Sequence, residues 1–258
     1  MSSWFHMIAL AAWLLILPPV GHAESFTIAA AADLRFALDE IVERYREKHP
    51  EQQVRVIYGS SGKMTTQIIN GAPYDLFFSA DIAFPERLQA AGMTTTDPAV
   101  YAIGRIVLWS NTLDASKLDL EDLARDPRIR RIAIAQPAHA PYGLRAQEAL
   151  QSVGAWEAVQ PRLVFGENIA HAAQMVESGA ADVGIIALSL ARFPELARHP
   201  YHLVDESLHN PLTQGFVVTR RAADHPGVLA FADFMASATA HAIMQRFGFV
   251  MPQPAAPN

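Results

Sequence analysis

Two kinds of apolar spacing alternate along this 258-residue chain, and this alternation constrains the fold more than any other feature of the sequence. The run at 26–32 is short, apolar and partly β-branched, which is typical of a buried strand. The segment 34–45 instead places apolar residues three and four positions apart, which predicts the buried face of an amphipathic helix. Because the alternation continues along the chain, we expect an α/β fold with mostly parallel sheets flanked by helices.

The predicted elements follow one another in a regular order. We predict strands at 26–32, 54–58, 76–79, 105–109, 132–135, 183–186, 201–204 and 216–219. We predict helices at 34–48, 63–70, 84–91, 142–152, 168–178, 225–236 and 239–247. Asp33 stands directly before the first helix, where a carboxylate can accept a free N–H of the first turn, so we predict that it is the N-cap.

The composition excludes several classes of protein. Apolar residues make up 51% of the chain and the net charge is only −6, which excludes intrinsic disorder. The acidic balance disfavours a nucleic-acid partner, because such proteins carry a basic surface. The chain has no cysteine, so it has no disulfides, thiolate catalysis or iron–sulfur clusters. Its length suits one large domain or two smaller ones.

The N-terminal segment has the pattern of a secretory signal peptide. An 11-residue apolar run at 7–17 is too short for a transmembrane helix, which needs about 20 residues. Two prolines and the small-x-small sequence Gly21-His22-Ala23 follow it, although no Lys or Arg precedes it. We expect a signal peptide at 1–23 with cleavage after Ala23, and in a bacterium a periplasmic protein. A buried N-terminal helix is the alternative.

Four junctions between a strand and a helix share small or turn-forming residues at the helix start. They are Ala32-Asp33-Leu34, Gly59-Ser60-Ser61-Gly62, Pro141-Tyr142-Gly143 and Glu167-Asn168-Ile169. Helix starts offer N–H groups without intrahelical acceptors and a positive dipole end. Since ligands bind beyond the carboxyl ends of parallel strands, such junctions can together form an anion site without Lys or Arg. The alternative is that they are ordinary helix caps.

One short motif suggests catalysis. The sequence Ser60-Ser61-Gly62-Lys63 contains the S-x-x-K pattern of penicillin-binding enzymes, but their S-D-N and K-T-G elements are absent from the chain. No G-x-S-x-G, H-E-x-x-H or P-loop sequence occurs either. An exported hydrolase that uses Ser60 or Ser61 with Lys63 therefore stays as the alternative from a different functional class.

Longer segments, in order along nearly all of the chain after residue 23, carry a more specific pattern. They are Ala-Ala-Ala-Ala-Asp-Leu at 29–34, Gly-Ser-Ser-Gly at 59–62, Gln-Ile-Ile-Asn-Gly-Ala-Pro-Tyr-Asp-Leu-Phe-Phe-Ser-Ala-Asp at 67–81, Pro-Ala-His-Ala-Pro-Tyr-Gly at 137–143, Glu-Ala-Leu at 148–150, Gly-Ala-Trp at 154–156, Glu-Asn-Ile at 167–169, Asp-Val-Gly-Ile at 182–185 and Phe-Gly-Phe at 247–249. In these segments the chain resembles the periplasmic molybdate-binding proteins.

The resemblance implies the substrate-binding component of an ABC importer, which binds molybdate and commonly tungstate and has no catalytic activity or cofactor. It implies a type II periplasmic binding protein fold, in which two α/β lobes close on the ligand and the chain crosses between them twice. We expect lobe I at 24–104 and 220–258, lobe II at 105–219, a monomer, and a membrane permease as partner. The export signal disfavours a sensor of similar fold.

The resemblance also implies site residues. Ser61 matches the ligand-binding serine of the family, and Ile169 matches an aliphatic residue that binds through its backbone N–H, with Asn168 as a possible cap of its helix. Tyr142 matches a position that is a ligand-binding tyrosine in some members. The tyrosine that other members carry further on corresponds to Ala187 here, so we predict that the Tyr142 phenol is the donor. No cation site is expected, because molybdenum is bound as an oxyanion.

Asp33 departs from the family, in which most members have serine or another neutral residue at this position. A carboxylate about 5 Å from a dianion costs on the order of 6 kcal/mol at an effective dielectric constant near 20. We therefore predict that Asp33 caps the helix at 34–48 and pairs with Lys63 at the rim of the cleft. The alternative is a receptor for another anion, such as sulfate, phosphate or an organic anion.

Overall fold

The computed structural model describes residues 24–252. The predicted signal peptide at 1–23, its cleavage site, and residues 253–258 lie outside the described residues.

The described chain alternates strands and helices, as the sequence predicts. Its strands are β1 (Glu24–Ala31), β2 (Gln52–Gly59), β3 (Leu76–Ser79), β4 (Ala99–Gly104), β5 (Ile106–Trp109), β6 (Ile132–Ala135), β7 (Leu163–Gly166), β8 (Val183–Ala187), β9 (Tyr201–Leu203) and β10 (Leu212–Val218). Its α-helices are α1 (Arg35–Lys48), α2 (Ser61–Ile69), α3 (Ala83–Ala90), α4 (Asp122–Arg125), α5 (Pro141–Ser152), α6 (Trp156–Val159), α7 (Ile169–Glu177), α8 (Leu188–Ala191), α9 (Pro226–Phe234) and α10 (Ala238–Arg246). A 3₁₀ turn, Ala32–Leu34, joins β1 to α1.

The strands form two five-stranded sheets of similar design, one in each lobe. The first has the order β2-β1-β3-β10-β4 and the second the order β7-β6-β8-β5-β9. In the first sheet β1 pairs in parallel with β2 and β3, whereas β10 is antiparallel to β3 and β4. In the second, β6 is parallel to β7 and β8, whereas β5 is antiparallel to β8 and β9. The two-lobed α/β fold is as expected, with mixed rather than mostly parallel sheets.

The chain passes between the lobes at two places. The first crossing is at Arg105, between β4 and β5. The second falls at 204–211, because β9 belongs to the second sheet and β10 to the first. The predicted lobe boundary at 219/220 is therefore wrong and lies one strand too late. The sequence pattern of a strand does not show which of two sheets the strand joins. In the structure β10 joins the first sheet, between β3 and β4.

Each lobe has its own apolar core, and the two cores meet near the crossings. Phe26, Leu38 and Phe231 are among the buried residues of the first core, and Trp109 is fully buried in the second. Ala31, Ala32 and Ala80, at the ends of β1 and β3, pack with the second core although they belong to the first lobe. The carboxyl ends of these strands therefore lie against the other lobe, where a site between the lobes is expected.

The described chain contains no single helix that is long and apolar enough to cross a membrane. The consecutive helices α9 and α10 meet the length and composition criteria only when they are taken together across a 58° bend. Both helices bury side chains in the core of the first lobe, including Phe231 and Met244.

Candidate functional site

A small cavity, with a volume of about 10 Å³, lies where the two lobes meet. All four junctions that the sequence singles out contribute to it. Its lining consists of Ala31, Ala32, Asp33, Gly59, Ser60, Ser61, Ala80, Ala140, Pro141, Tyr142 and Ile169. Pockets for drug-sized ligands have volumes of roughly 300–1,000 Å³. This cavity therefore suits a ligand of only a few atoms.

Ser61 is the first residue of α2, and its side chain is fully buried. Its Oγ accepts a hydrogen bond of 3.0 Å from the backbone N–H of Ala80. Because this bond uses the oxygen as an acceptor, the hydroxyl hydrogen stays available for donation. The backbone N–H of Ser61 lies in the first turn of the helix, where it has no intrahelical acceptor. One residue can thus supply two donors to the cavity.

Ile169 is the first residue of α7, and it is buried at the opposite side of the cavity in the second lobe. The side chain of Asn168 accepts the N–H of His171 at 3.0 Å, so the capping role considered for Asn168 is confirmed. The N–H of Ile169 has no acceptor within its own helix. It can therefore donate to an anion in the cavity, at the positive end of the helix dipole.

Tyr142 lines the cavity, but its hydroxyl hydrogen-bonds to other side chains of the protein. The phenol donates to Oδ2 of Asp33 at 3.0 Å and accepts from Nε2 of Gln214 at 3.0 Å. Burial, together with the charge of Asp33, raises the pKa of Tyr142 well above its usual value, so the phenol keeps its proton. In this arrangement its only O–H hydrogen is used by Asp33 and not left for a ligand.

Asp33 does not have the capping role predicted for it. It lies inside the 3₁₀ turn before α1, and no side chain caps the start of that helix. Its Oδ2 accepts from Tyr142 and, at 2.8 Å, from Gln214, whereas its Oδ1 has no partner among the described residues. Burial raises the pKa of Asp33 to about 6, although these two hydrogen bonds act in the opposite direction.

The predicted pair between Asp33 and Lys63 is also wrong. The Lys63 Nζ lies 3.0 Å from Oε1 of Glu167, across the mouth of the cleft, and both side chains are substantially exposed. Within the part of the chain that the structure describes, Asp33 has no ion pair. The physical reason is helix geometry: residues two apart point in different directions, so Ser61 is buried while Lys63 projects outward.

Sequence reasoning missed Gln214, which connects this site to both crossings. It is fully buried on β10, where its Oε1 accepts from the Tyr101 hydroxyl at 2.6 Å and its Nε2 donates to Asp33 and Tyr142. A Cβ added to Gly104 would lie 2.4 Å from the Tyr142 oxygen and 2.6 Å from Nε2 of Gln214, so the packing here requires glycine. No sequence signal marked it, because residue 214 lies outside the strand predicted at 216–219, and the observed strand β10 contains a second polar residue, Thr213.

Several other contacts hold the lobes together around the cavity. The N–H of Gly62 donates to the carbonyl of His139 at 2.9 Å, and Oγ of Ser60 lies 2.9 Å from Nδ1 of His139. Burial and the nearby Lys63 charge lower the pKa of His139. Further out, Arg145 in the second lobe pairs with Asp81 in the first at 2.9 Å. These bonds describe the closed form of a two-lobed protein.

The cleft does not contain the catalytic arrangement that the S-x-x-K motif would need. Lys63 pairs with Glu167, and Ser61 accepts from Ala80, so neither is a partner of the other. Ser60 is paired with His139 instead. Among residues 24–252, no group of three or more His, Asp or Glu side chains is placed to hold a metal cation.

Two lobes with double crossings, closed over a small cavity between helix starts, define a two-lobed binding protein of the type II periplasmic class. Comparison with known proteins agrees with this class. The family model for bacterial extracellular solute-binding proteins matches residues 26–250, and the chain belongs to this family.

Two relatives and one solved structure show where in the family the similarity lies. The molybdate-binding protein ModA of Rhodobacter capsulatus is 32% identical over 223 residues, which cover 86% of each chain. ModA of Azotobacter vinelandii is 31% identical over 245 residues, covering 94% of this chain and 96% of that protein. The solved structure of the Azotobacter vinelandii periplasmic molybdate-binding protein has a TM-score of 0.82 and 30% identity, covering 88% of this chain and all (100%) of that one.

Proposed function

We propose that this protein captures molybdate in the cavity between its lobes and delivers it to the membrane permease of an ABC importer. The observation that carries the proposal is the cavity itself, which is small, is lined by both lobes, and is formed at the starts of α2, α5 and α7. The similarity to molybdate-binding proteins along most of the chain supports the choice of ligand.

The chemistry of the cavity supports a fully deprotonated oxyanion. Molybdate is a tetrahedral dianion that only accepts hydrogen bonds, and Ser61 and Ile169 can supply N–H and O–H donors from two different lobes. Anion contacts from both lobes favour the closed form, since a ligand stabilises the conformation that it contacts most. Tungstate, which has nearly the same size and charge, is expected to bind as well, whereas sulfate is a smaller tetrahedron.

The remaining parts of the proposal rest on the sequence and the family. We expect export with cleavage after Ala23, a periplasmic location, a monomer, and no catalysis or bound cofactor. Nothing in the Ser60, Ser61 and Lys63 contacts favours the hydrolase alternative.

A second candidate ligand follows from one observation. Asp33 is the carboxylate in the cavity lining, and its Oδ1 has no partner among the described residues. An oxyanion that carries its own proton, such as hydrogen phosphate, could donate to that oxygen. This would make the protein a receptor for a different anion.

The test is calorimetric titration of the chain from residue 24 with molybdate, tungstate, sulfate and phosphate. We expect one site per chain for molybdate and tungstate and much weaker binding of sulfate and phosphate. Ser61→Ala should weaken molybdate binding, whereas Ser116→Ala, which alters an exposed serine in the second lobe, should not. No binding of molybdate or tungstate would reject the proposal, and tighter binding of phosphate would favour the second candidate.

A further inference from the structure

Asp33 is a carboxylate in the lining of a cavity that is proposed to bind a dianion. Its side chain is 1% exposed and lines the cavity, with one carboxylate oxygen in two hydrogen bonds and the other in none among the described residues. A buried polar atom without a partner is costly, so an unpartnered oxygen at the wall of a ligand cavity points to a contact made by the ligand. A fully deprotonated oxyanion such as molybdate, however, offers only acceptors to that oxygen.

Among residues 24–252, no positively charged group bonds to the Asp33 side chain to offset a second anion. The groups that face its side chain are the hydroxyl of Tyr142 from α5, the amide of Gln214 from β10 and the backbone N–H groups of Asp33 and Leu34, with Tyr101 of β4 behind Gln214. From α8, Ser189 donates to the Asp33 carbonyl at 2.8 Å. All of these groups are neutral.

The basic side chains on the elements around the cavity interact with other groups. On α1, the Arg35 guanidinium lies 5.7 Å from the centre of the Tyr58 ring, and on α2 Lys63 pairs with Glu167. His139, next to the cavity, is bonded to Ser60. An ionised Asp33 and a dianion in this small cavity would therefore repel each other.

We propose, on the basis of the proposed function, that Asp33 binds the oxyanion as a neutral carboxylic acid. One proton from the solvent adds to Oδ1, and the resulting O–H donates to an oxygen of the ligand. Oδ2 keeps its hydrogen bonds from Tyr142 and Gln214. The ligand stays a dianion, the protein gains one positive charge relative to its ionised form, and no other bond forms or breaks.

Two further observations support this role. Burial already raises the pKa of Asp33 to about 6. The negative charge of a bound anion raises this pKa further, so Asp33 can be protonated near neutral pH in the complex. Tyr142 and Tyr101 have pKa values raised well above the usual range, so neither of them titrates together with Asp33. Asp33 would thus be a specificity-determining residue whose charge couples oxyanion binding to proton uptake.

The experiment is calorimetric titration of the chain from residue 24 with sodium molybdate at pH 7.5, in two buffers of different ionisation enthalpy. The difference in binding enthalpy gives the number of protons taken up, which we expect to be close to one. The dissociation constant should rise about tenfold per pH unit above roughly pH 7. Molybdate binding without proton uptake would overturn the inference.

Two variants assign the proton. Asp33→Asn, whose amide can donate in place of the acid O–H, should still bind molybdate, with no proton uptake and a flat pH profile. His139→Gln removes the imidazole that is bonded to Ser60 beside the cavity, and it should leave proton uptake unchanged. Loss of uptake in the His139 variant, with uptake retained in the Asp33 variant, would contradict the assignment to Asp33.

The outcomes also separate this inference from the proposed function. If the unaltered protein binds no molybdate at any pH, the proposed function fails and the inference fails with it. If it binds phosphate more tightly, and Asp33→Asn abolishes that binding, the ligand brings the proton and Asp33 acts as an ionised acceptor. Both results would reject a protonated Asp33, whereas molybdate binding with one proton taken up supports both proposals.

Discussion

Tyr142 of the second lobe donates its hydroxyl hydrogen to Oδ2 of Asp33 in the first lobe, at a distance of 3.0 Å. Both side chains are buried and both line the cavity. This hydrogen bond joins the two lobes in the structure. The carboxylate in the cavity lining therefore also takes part in the contact between the two lobes.

The first prediction concerns this link. Tyr142→Phe should weaken molybdate binding about two- to tenfold, because a hydrogen bond to a neutral acid contributes about 0.5–1.5 kcal/mol to the closed form. The fold should persist, since the ring stays in place. Calorimetry measures the affinity, and Tyr74→Phe is the matched control, because its hydroxyl bonds only to Gln67 on the surface. Unchanged affinity in Tyr142→Phe would show that the link has no role in closure.

The second prediction concerns the ion pair at the mouth of the cleft. Lys63→Ala should weaken molybdate binding by less than about fivefold, because exposed ion pairs contribute about 0.2–1 kcal/mol. A direct ion pair between Lys63 and Asp33 would instead cause a large loss of affinity for molybdate in this variant. The small effect should also shrink further in high salt. A loss of more than a hundredfold would mean that Lys63 contacts the ligand or Asp33 directly.

The third prediction concerns stability and pH. Because burial raises the pKa of Asp33 from 3.8 to about 6, its contribution favours the native state most below pH 4 and is lost as the pH rises through 6. Asp33→Asn carries no charge at any pH. It should therefore raise the free energy of unfolding at pH 8 by up to about 3 kcal/mol without ligand, and have little effect near pH 4.

Chemical denaturation at the two pH values measures this difference. Asp224→Asn, at an exposed position of the first lobe, is the matched control and should show no comparable gain. A gain in Asp33→Asn that is the same at pH 4 and pH 8 would contradict the account, because it could not come from the ionisation of Asp33.

The fourth prediction concerns the glycine at the first crossing. Gly104→Ala should destabilise the protein by about 1–3 kcal/mol, because its Cβ would lie 2.4 Å from the Tyr142 oxygen and 2.6 Å from Nε2 of Gln214. Removal of the hydroxyl relieves the first of these contacts. The double variant Gly104→Ala/Tyr142→Phe should therefore melt at a higher temperature than Gly104→Ala alone. Equal melting temperatures would place the strain elsewhere.

Local sequence patterns were sufficient to predict many of the elements. The bounds predicted for β3 and β6 coincide with the observed ones, because both strands are buried along their whole length and end at polar or turn residues. The four junctions of the cavity were also recognisable, since strand ends of one sheet edge lie together. Strands β4 and β7 were missed. Each has partly exposed residues and so lacks a continuous buried run.

The contacts between lobes could not be predicted in the same way. The partner of Lys63 is 104 positions away on another lobe, and the partner of Asp33 on β10 is 181 positions away. No local spacing encodes such distances. The sequence also did not predict that Asp33 lies within a 3₁₀ turn, one residue away from a capping position. Residue propensities do not distinguish a 3₁₀ turn from the first turn of an α-helix.

The central claim is that a molybdate ion is bound in the cavity between the lobes, and a crystal structure of the complex tests it most directly. Anomalous scattering locates molybdenum independently of the protein phases. We expect one molybdenum per chain, with its oxygens within hydrogen-bonding distance of the Ser61 hydroxyl and the Ile169 N–H. Crystals grown with excess molybdate that show no molybdenum in this cavity would contradict the account.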